Sequence, residues 1–158
     1  MTDDPRLSIV LVEPEIPGNT GNIARTCAAI GADLHLVHPL GFSVTDRYVR
    51  RAGLDYWHLL RVVEHENYEA FQAMFPHRNK YYLSTHGTRP YTDANLDTHG
   101  IMLVFGKETA GLGDKIIRDN WERVITIPMR SEARSLNLSN AVAIVAYESM
   151  RQSGFRGI

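Results

Sequence analysis

The sequence has a single cysteine, Cys27, in 158 residues, which excludes an internal disulfide and favours a reducing compartment. Cys27 lies among alanines, and we expect it to be a small core residue. No apolar run approaches the roughly 18 residues of a membrane-spanning helix, and residues 1–5 are acidic and polar, unlike a secretory signal. We therefore expect a cytoplasmic protein with no membrane partner. The net charge is only −1, so contacts with nucleic acid would require local basic patches.

Several familiar motifs are also missing. Residues 106–113 have the glycine spacing of a phosphate loop, but Leu112 and Gly113 stand where that loop needs a lysine and a hydroxyl residue, which argues against an NTPase. The sequence contains neither the G-x-G-x-x-G of dinucleotide sites nor the G-x-S-x-G of hydrolases. His35 and His38 lie three apart on a predicted strand and point to opposite faces, so we expect no metal site there.

Strand and helix patterns alternate along the chain, which predicts one α/β domain spanning residues 1–158, with a mostly parallel sheet and helices on both faces. Ligands of such sheets bind beyond the carboxyl ends of the strands, so the loops after Ser84, Phe105 and Ile127 are the first candidates for a site. The predicted strands are Leu7–Val12, Leu34–Val37, Leu60–Val63, Tyr81–Ser84, Ile101–Phe105 and Val124–Ile127. The predicted helices are Asn19–Ile30, Asp46–Ala52, Tyr68–Phe75, Lys115–Trp121 and Leu138–Gln152.

Two of these helices lack a properly polar face. Residues 23–30 include only Arg25 and Thr26 as polar side chains, and residues 141–147 carry no charge. A helix that is apolar all round is normally buried, and in so small a domain a second chain is a natural cover. The sequence therefore predicts a homodimer built partly from these helices.

Arg25 is the unusual residue of the first helix, because an unpaired buried guanidinium is costly. One interpretation is an internal salt bridge to Glu13 or Glu108. The other is an anionic ligand such as phosphate, which suits the planar guanidinium fork. Asn19 or Thr20 can cap the helix, as Asn and Ser side chains can cap the last one.

Basic residues form two local clusters, one before the third predicted strand and one in the loop before the last helix. Such clusters are often solvated surface, but two clusters beside a candidate site favour a polyanionic partner. Tyr56 and Trp57 lie just after the first cluster and could stack on an unpaired base. The clusters consist of Arg47, Arg50 and Arg51, and of Arg130 and Arg134.

Three segments resemble, in order and spacing, the three motifs of the SPOUT superfamily of RNA methyltransferases. The first is Asn19–Arg25, and the second is residues 103–112. The third runs from Ile127-Pro128-Met129 through residues 135–142.

Two further segments, residues 13–17 and 50–56, are similar to the small YibK-like (TrmL-type) subgroup. Those enzymes methylate the 2′-hydroxyl of the tRNA wobble nucleotide, position 34, a cytidine or a modified uridine. Gly18 stands where that subgroup has a second proline, and Lys107 stands where a proline is common. Both departures lie in loops.

The resemblance implies a C-terminal trefoil knot, S-adenosyl-L-methionine as methyl donor, and a homodimer with its active sites at the subunit interface. It implies the tRNA anticodon stem-loop as partner and a catalytic role for Arg25. Because a guanidinium keeps its proton in proteins, it cannot act as a base, and Arg25 would instead orient the 2′-hydroxyl and a phosphate. Asn19, Glu108 and Asn137 would position Arg25, the loops or the ribose. The implied cofactor contacts are Leu83, Ser84, Thr85, Gly106, Ile127, Met129, Ser135 and Leu136. A non-catalytic RNA-binding module with the same fold, or methylation at another RNA position, stays as an alternative.

Overall fold

The computed structural model describes residues 5–45, 47, 51 and 56–158, and these contain one six-stranded sheet. Every strand pair in it is parallel, and the strand order is β3-β2-β1-β5-β4-β6. The predicted α/β fold with a parallel sheet is therefore confirmed. The strands are β1 Leu7–Val12, β2 Asp33–Val37, β3 Val62–His65, β4 Lys80–Leu83, β5 Ile101–Phe105 and β6 Val124–Ile125.

Within the part of the chain that the structure describes, four α-helices have continuous residue ranges and connect or flank the strands. They are α1 Pro17–Ile30, α2 Tyr68–Met74, α3 Asp114–Asp119 and α4 Leu138–Gln152, with short 3₁₀ turns at Trp57–Leu59, Tyr91–Asp93 and Trp121–Arg123. Within the described ranges, no helix is long and apolar enough to cross a bilayer.

The sheet is buried on both faces, as a parallel sheet requires. Alternate residues of β1 point to opposite sides. Ile9 and Leu11 pack with α1 and α4, whereas Val10 and Val12 pack with α2 and α3. Cys27 is fully buried in the first of these layers, which confirms its expected core role.

The differences from the predicted boundaries have local causes. Helix α1 begins two residues early, at Pro17, because a proline suits the first helical position. Strand β3 is displaced by two residues toward His65. Strand β6 ends at Ile125, since Thr126 leaves β4 and hydrogen-bonds instead to the backbone of Arg89 and Tyr91. The predicted helix at 46–52 lies largely outside the described residues.

The second half of α4 is attached to the segment that precedes β5. Ser149 donates its hydroxyl to the Leu96 carbonyl at 2.8 Å, and the Leu96 N–H donates to Gln152 at 2.7 Å. The Gln152 amide also donates to the Ala94 carbonyl at 3.1 Å, and Arg6 at the start of β1 donates to the Ser149 carbonyl at 3.0 Å. These bonds fix α4 against the sheet and so fix the loop that leads into it.

Candidate functional site

The carboxyl ends of β4 and β5, the chain after β6 and the segment before α4 surround one cleft of about 690 Å³. This volume is in the range typical of small-molecule sites, and the place is where parallel sheets bind ligands. The structure brings all of the predicted cofactor contacts into the lining of this cleft. They are Leu83, Ser84, Thr85, Gly106, Ile127, Met129, Ser135 and Leu136.

The lining mixes apolar and polar side chains, so it can bind an organic ligand that carries both apolar and hydrogen-bonding groups. Leu83 is buried at the base, and Leu136 is exposed at the rim. The Ser84 hydroxyl accepts a hydrogen bond from the His86 N–H at 3.0 Å, which shapes the turn after β4. Within the described ranges, no group of three or more His, Cys, Asp or Glu side chains is placed to hold a metal ion.

Gly106 is required by the fold of its own loop. The chain turns back after β5, so that Lys107 and Gly111 exchange backbone hydrogen bonds of 3.3 and 2.9 Å. A Cβ at Gly106 would lie 2.0 Å from the Gly111 carbonyl carbon and 2.2 Å from the Leu112 nitrogen. The family resemblance gave Gly106 as a cofactor contact, and the structure adds that the chain itself needs a glycine at this position.

Three of the four predicted catalytic residues form one hydrogen-bonded network at the rim of the cleft. The Glu108 carboxylate accepts the Glu15 N–H at 2.9 Å, the Ile16 N–H at 2.6 Å and the Asn19 amide at 3.3 Å. Asn137 donates its amide to Asn19 at 3.1 Å. We call Glu108, Asn19 and Asn137 the rim network. It joins the loop after β5 to the first turns of α1 and α4.

The rim network corrects the expected capping of α1. Neither Asn19 nor Thr20 is the cap, because the N-cap position is Ile16 and has no side-chain cap of its own. Glu108 from the loop after β5 instead satisfies the free N–H groups at this helix end, where the helix dipole favours a negative charge. The last helix does start as expected, since the Asn137 side chain accepts the Ser139 and Asn140 N–H groups.

Glu15 is a structural residue that sequence reasoning missed. Its carboxylate accepts both the N–H and the hydroxyl of Thr109, at 3.0 and 2.7 Å. These bonds lower the pKa of Glu15. Together with the bonds that Glu108 accepts, they connect the segment before α1 to the loop after β5, and each segment supplies one carboxylate acceptor. No periodicity or charge pattern in the sequence pairs residues 94 positions apart.

Arg25 lies away from the rim network and is not among the residues that line the cleft. Its side chain is exposed, and the guanidinium carbon lies 5.0 Å from the centre of the Tyr56 ring. Of the two interpretations of Arg25, the salt bridge to Glu13 or Glu108 is wrong: the described residues give Arg25 no ion pair, and the Glu108 carboxylate binds backbone and amide N–H groups instead. The assumption that the Arg25 guanidinium is buried is also wrong, and an exposed guanidinium needs no internal partner.

The predicted RNA contacts are spread over the surface. Arg134 lines the cleft, whereas Arg130 is 89% exposed and lies 3.7 Å from Glu132, a surface pair of little energetic value. Arg47 and Arg51 are exposed and helical. Arg50 lies outside the described residues.

Comparison with known proteins agrees with this geometry. Residues 6–147 match the SpoU rRNA Methylase family. A tRNA (cytidine(34)-2'-O)-methyltransferase of Saccharophagus degradans is 47% identical over 151 residues, which are 95% of this chain and 97% of that protein. A solved structure from work on the 2-OH methylation of C/U34 on tRNA superposes with a TM-score of 0.91 at 39% identity, covering 97% of this chain and 99% of that one.

A more distant solved structure is an AdoMet-bound rRNA methyltransferase from Sinorhizobium meliloti, with a TM-score of 0.85 at 25% identity. The match covers 94% of this chain and 57% of that one. The family match and the full-length relatives lead to one conclusion: the chain belongs to the SpoU rRNA methylase family.

Proposed function

We propose that this chain transfers a methyl group from S-adenosylmethionine to the ribose 2′-hydroxyl of the wobble nucleotide, position 34, of tRNA. The observation that carries the proposal is the convergence of the loops after β4, β5 and β6 on one cleft, with every predicted cofactor contact in its lining. The full-length relatives named for methylation of cytidine 34 support the choice of substrate.

The residues of the cleft fit S-adenosylmethionine. Leu83, Ile127, Met129 and Leu136 offer apolar surface to an adenine ring and a thioether chain. Hydroxyl and backbone groups near Ser135 can bind a ribose or an amino-acid group. When bound, this cofactor supplies an electrophilic methyl group on a sulfonium sulfur.

The reaction would join the ribose 2′-oxygen to the methyl carbon, leave the cofactor as a neutral thioether and release the hydroxyl proton to solvent. Arg25 can hold the 2′-hydroxyl oxygen and a neighbouring phosphate through separate N–H donors, which orients the nucleophile. It cannot accept the proton, because a guanidinium stays protonated in proteins. The rim network then has a supporting role, since it holds the loops rather than Arg25.

Arg25 does not line the cleft of its own chain, and a homodimer would explain how it reaches a cleft. Leu136 at the cleft rim and Ile144 and Tyr147 on α4 are large apolar side chains that are 39%, 36% and 43% exposed. Arg25 is exposed on α1, which packs beside α4. We propose a two-fold dimer through these helices, in which Arg25 of each protomer serves the cleft of its partner.

The other expectations from the family resemblance also stay proposals. We propose one domain over residues 1–158, a cytoplasmic location as for other tRNA-modifying enzymes, and a trefoil knot near the C-terminus. The knot is supported by residues 84–97, whose middle part hydrogen-bonds to Thr126 through Arg89 and Tyr91 and whose last residues hydrogen-bond to α4. A last helix passing through that loop would make these contacts.

The function is tested with two measurements on the purified protein. Calorimetry should show binding of S-adenosylmethionine, and transfer of tritiated methyl should be seen to an anticodon stem-loop carrying C34. A 2′-deoxy nucleotide at position 34 is the matched control and should accept no label. Absence of cofactor binding together with retained RNA binding would instead identify a non-catalytic RNA-binding module.

A further inference from the structure

The side chain beneath Arg25 is Tyr56, which neither the motifs nor the cleft assigned a catalytic task. The guanidinium carbon stands 5.0 Å from the centre of the Tyr56 ring, within the distance of a cation–π contact. Tyr56 itself is half-buried, and Arg25 is exposed. The ring is thus the more buried partner of the contact and the cation the more exposed one.

Tyr56 is held by a turn that is anchored to the core. The Leu59 N–H donates to the Tyr56 carbonyl at 2.9 Å, and the Leu60 N–H donates to the Trp57 carbonyl at 3.2 Å. The side chains of Trp57 and Leu60 pack against the core layer that contains α1 and α4. The turn therefore presents the ring to α1 from a fixed position.

We propose that Tyr56 is a positioning residue for Arg25, an inference that rests on the proposed function. An exposed arginine samples many rotamers, and a ring face under the planar guanidinium restricts them before substrate arrives. Preorganisation of this kind raises turnover rather than affinity, because the held group acts when the hydroxyl attacks. The face, and not the phenol hydroxyl, does this, so phenylalanine should replace tyrosine.

A competing role for Tyr56 is stacking on an unpaired base. The guanidinium lies over one face of the ring, so that face is already taken in the free protein. The two roles also differ in kinetics. Loss of base stacking raises KM for tRNA, whereas loss of positioning lowers kcat.

The first test compares Tyr56→Leu, Tyr56→Phe and Leu59→Ala, which changes an exposed side chain of the same turn. Tyr56→Leu should lower kcat roughly 2-fold to 5-fold, as expected for losing an exposed cation–π contact of about 0.5–1 kcal/mol. KM for tRNA, cofactor affinity and thermal midpoint should stay at wild-type values, as should every parameter of Tyr56→Phe and Leu59→Ala. A raised KM with unchanged kcat in Tyr56→Leu would overturn the proposal in favour of base stacking.

The second test needs no turnover. A ring face above a guanidinium shifts the Arg25 side-chain proton resonances upfield, so NMR should show this shift in wild type and Tyr56→Phe and its loss in Tyr56→Leu. Identical Arg25 resonances in all three proteins would overturn the contact. The two proposals fail differently. A wild type that methylates no RNA contradicts the proposed function, whereas full activity of Tyr56→Leu beside an inactive Arg25→Ala contradicts only the positioning role.

Discussion

The rim network and Arg25 are two halves of one candidate site, and they are built in opposite ways. Glu108 and Asn19 are bound by neighbouring loops through several hydrogen bonds, so their geometry is complete within one chain. Arg25 is exposed, contacts the Tyr56 ring and lies outside the cleft lining. Under the proposed function, the half of the site that would bind the cofactor is preformed within one chain, whereas the half that would bind RNA is completed by a second molecule.

The largest effect is expected for Arg25→Ala. We expect kcat for tRNA to fall by at least about 100-fold, because an unoriented hydroxyl rarely meets the methyl group in line. Affinity for S-adenosylmethionine, measured by calorimetry, should not change. Arg25→Lys is the matched variant, and it should stay impaired because an ammonium lacks the bidentate fork. Unchanged turnover in Arg25→Ala would refute the assigned role.

Gly106→Ala tests the half of the site that would bind the cofactor. The new methyl group would overlap the backbone of Gly111 and push the loop out of place. Overpacking of this kind costs about 1–3 kcal/mol, which corresponds to roughly 5-fold to 150-fold weaker cofactor binding. Gly18→Ala is the control, since a Cβ there meets nothing within 4 Å. Wild-type cofactor affinity in Gly106→Ala would show that the loop geometry does not matter for binding.

Mixing these two variants shows whether the halves come from different chains. If Arg25 serves the partner's cleft, a hybrid of Arg25→Ala and Gly106→Ala has one intact site, and an equal mixture should recover about a quarter of wild-type activity. If Arg25 serves its own chain, every site in the mixture stays defective and activity stays at the level of the single variants. The measurement is methyl transfer after the two proteins are unfolded and refolded together.

The rim network should matter more for stability than for the chemical step. Glu108→Gln keeps the shape of the side chain but places a donor against N–H groups. We expect the unfolding free energy to fall by about 1.5 kcal/mol, the low end for a lost hydrogen bond to a charge, because Glu108 is only half-buried. Urea denaturation measures this loss, and the exposed Glu132→Gln should show none. An equal loss in both variants would remove the special role of Glu108.

A buried pair away from the cleft should have the smallest effect on activity, and it provides a stability reference. His35 on β2 and His65 on β3 are 2.9 Å apart between Nδ1 and Nε2, and both rings pack against Phe71 and Phe75. Burial lowers the pKa of both, that of His35 to about 3, with further lowering from His65, Arg61 and Arg78.

Below about pH 6.5 the two histidines bind protons in the unfolded chain but stay neutral in the folded chain. The stability that comes from their neutral burial is therefore present above that pH and is lost as the pH falls toward 3. The slope should approach about 1.4 kcal/mol per pH unit for His35. His35→Gln should flatten the loss between pH 6.5 and 5, whereas the exposed His58→Gln should leave it unchanged. Equal slopes in all three proteins would contradict neutral burial.

Much of the fold could be predicted because its signals are local. The apolar run of β1 and Gly31 at the end of α1 mark elements that the structure places within two residues. The cofactor contacts followed from family motifs, and the fold brings them together because parallel strands end at one edge. Glu15 with Thr109, and Tyr56 with Arg25, could not be predicted as pairs. Both join segments distant in sequence, and a hydrogen bond or ring contact leaves no periodic pattern.

Methylation at position 34 is best tested by incubating the protein and S-adenosylmethionine with bulk tRNA from cells lacking its gene. Nucleoside mass spectrometry then identifies the modified nucleoside, and its position in the tRNA is mapped. The account predicts one new 2′-O-methyl group, on the cytidine or modified uridine at position 34, and none with Arg25→Ala. A methyl group on a base, at another position, or at undiminished level with Arg25→Ala would contradict it.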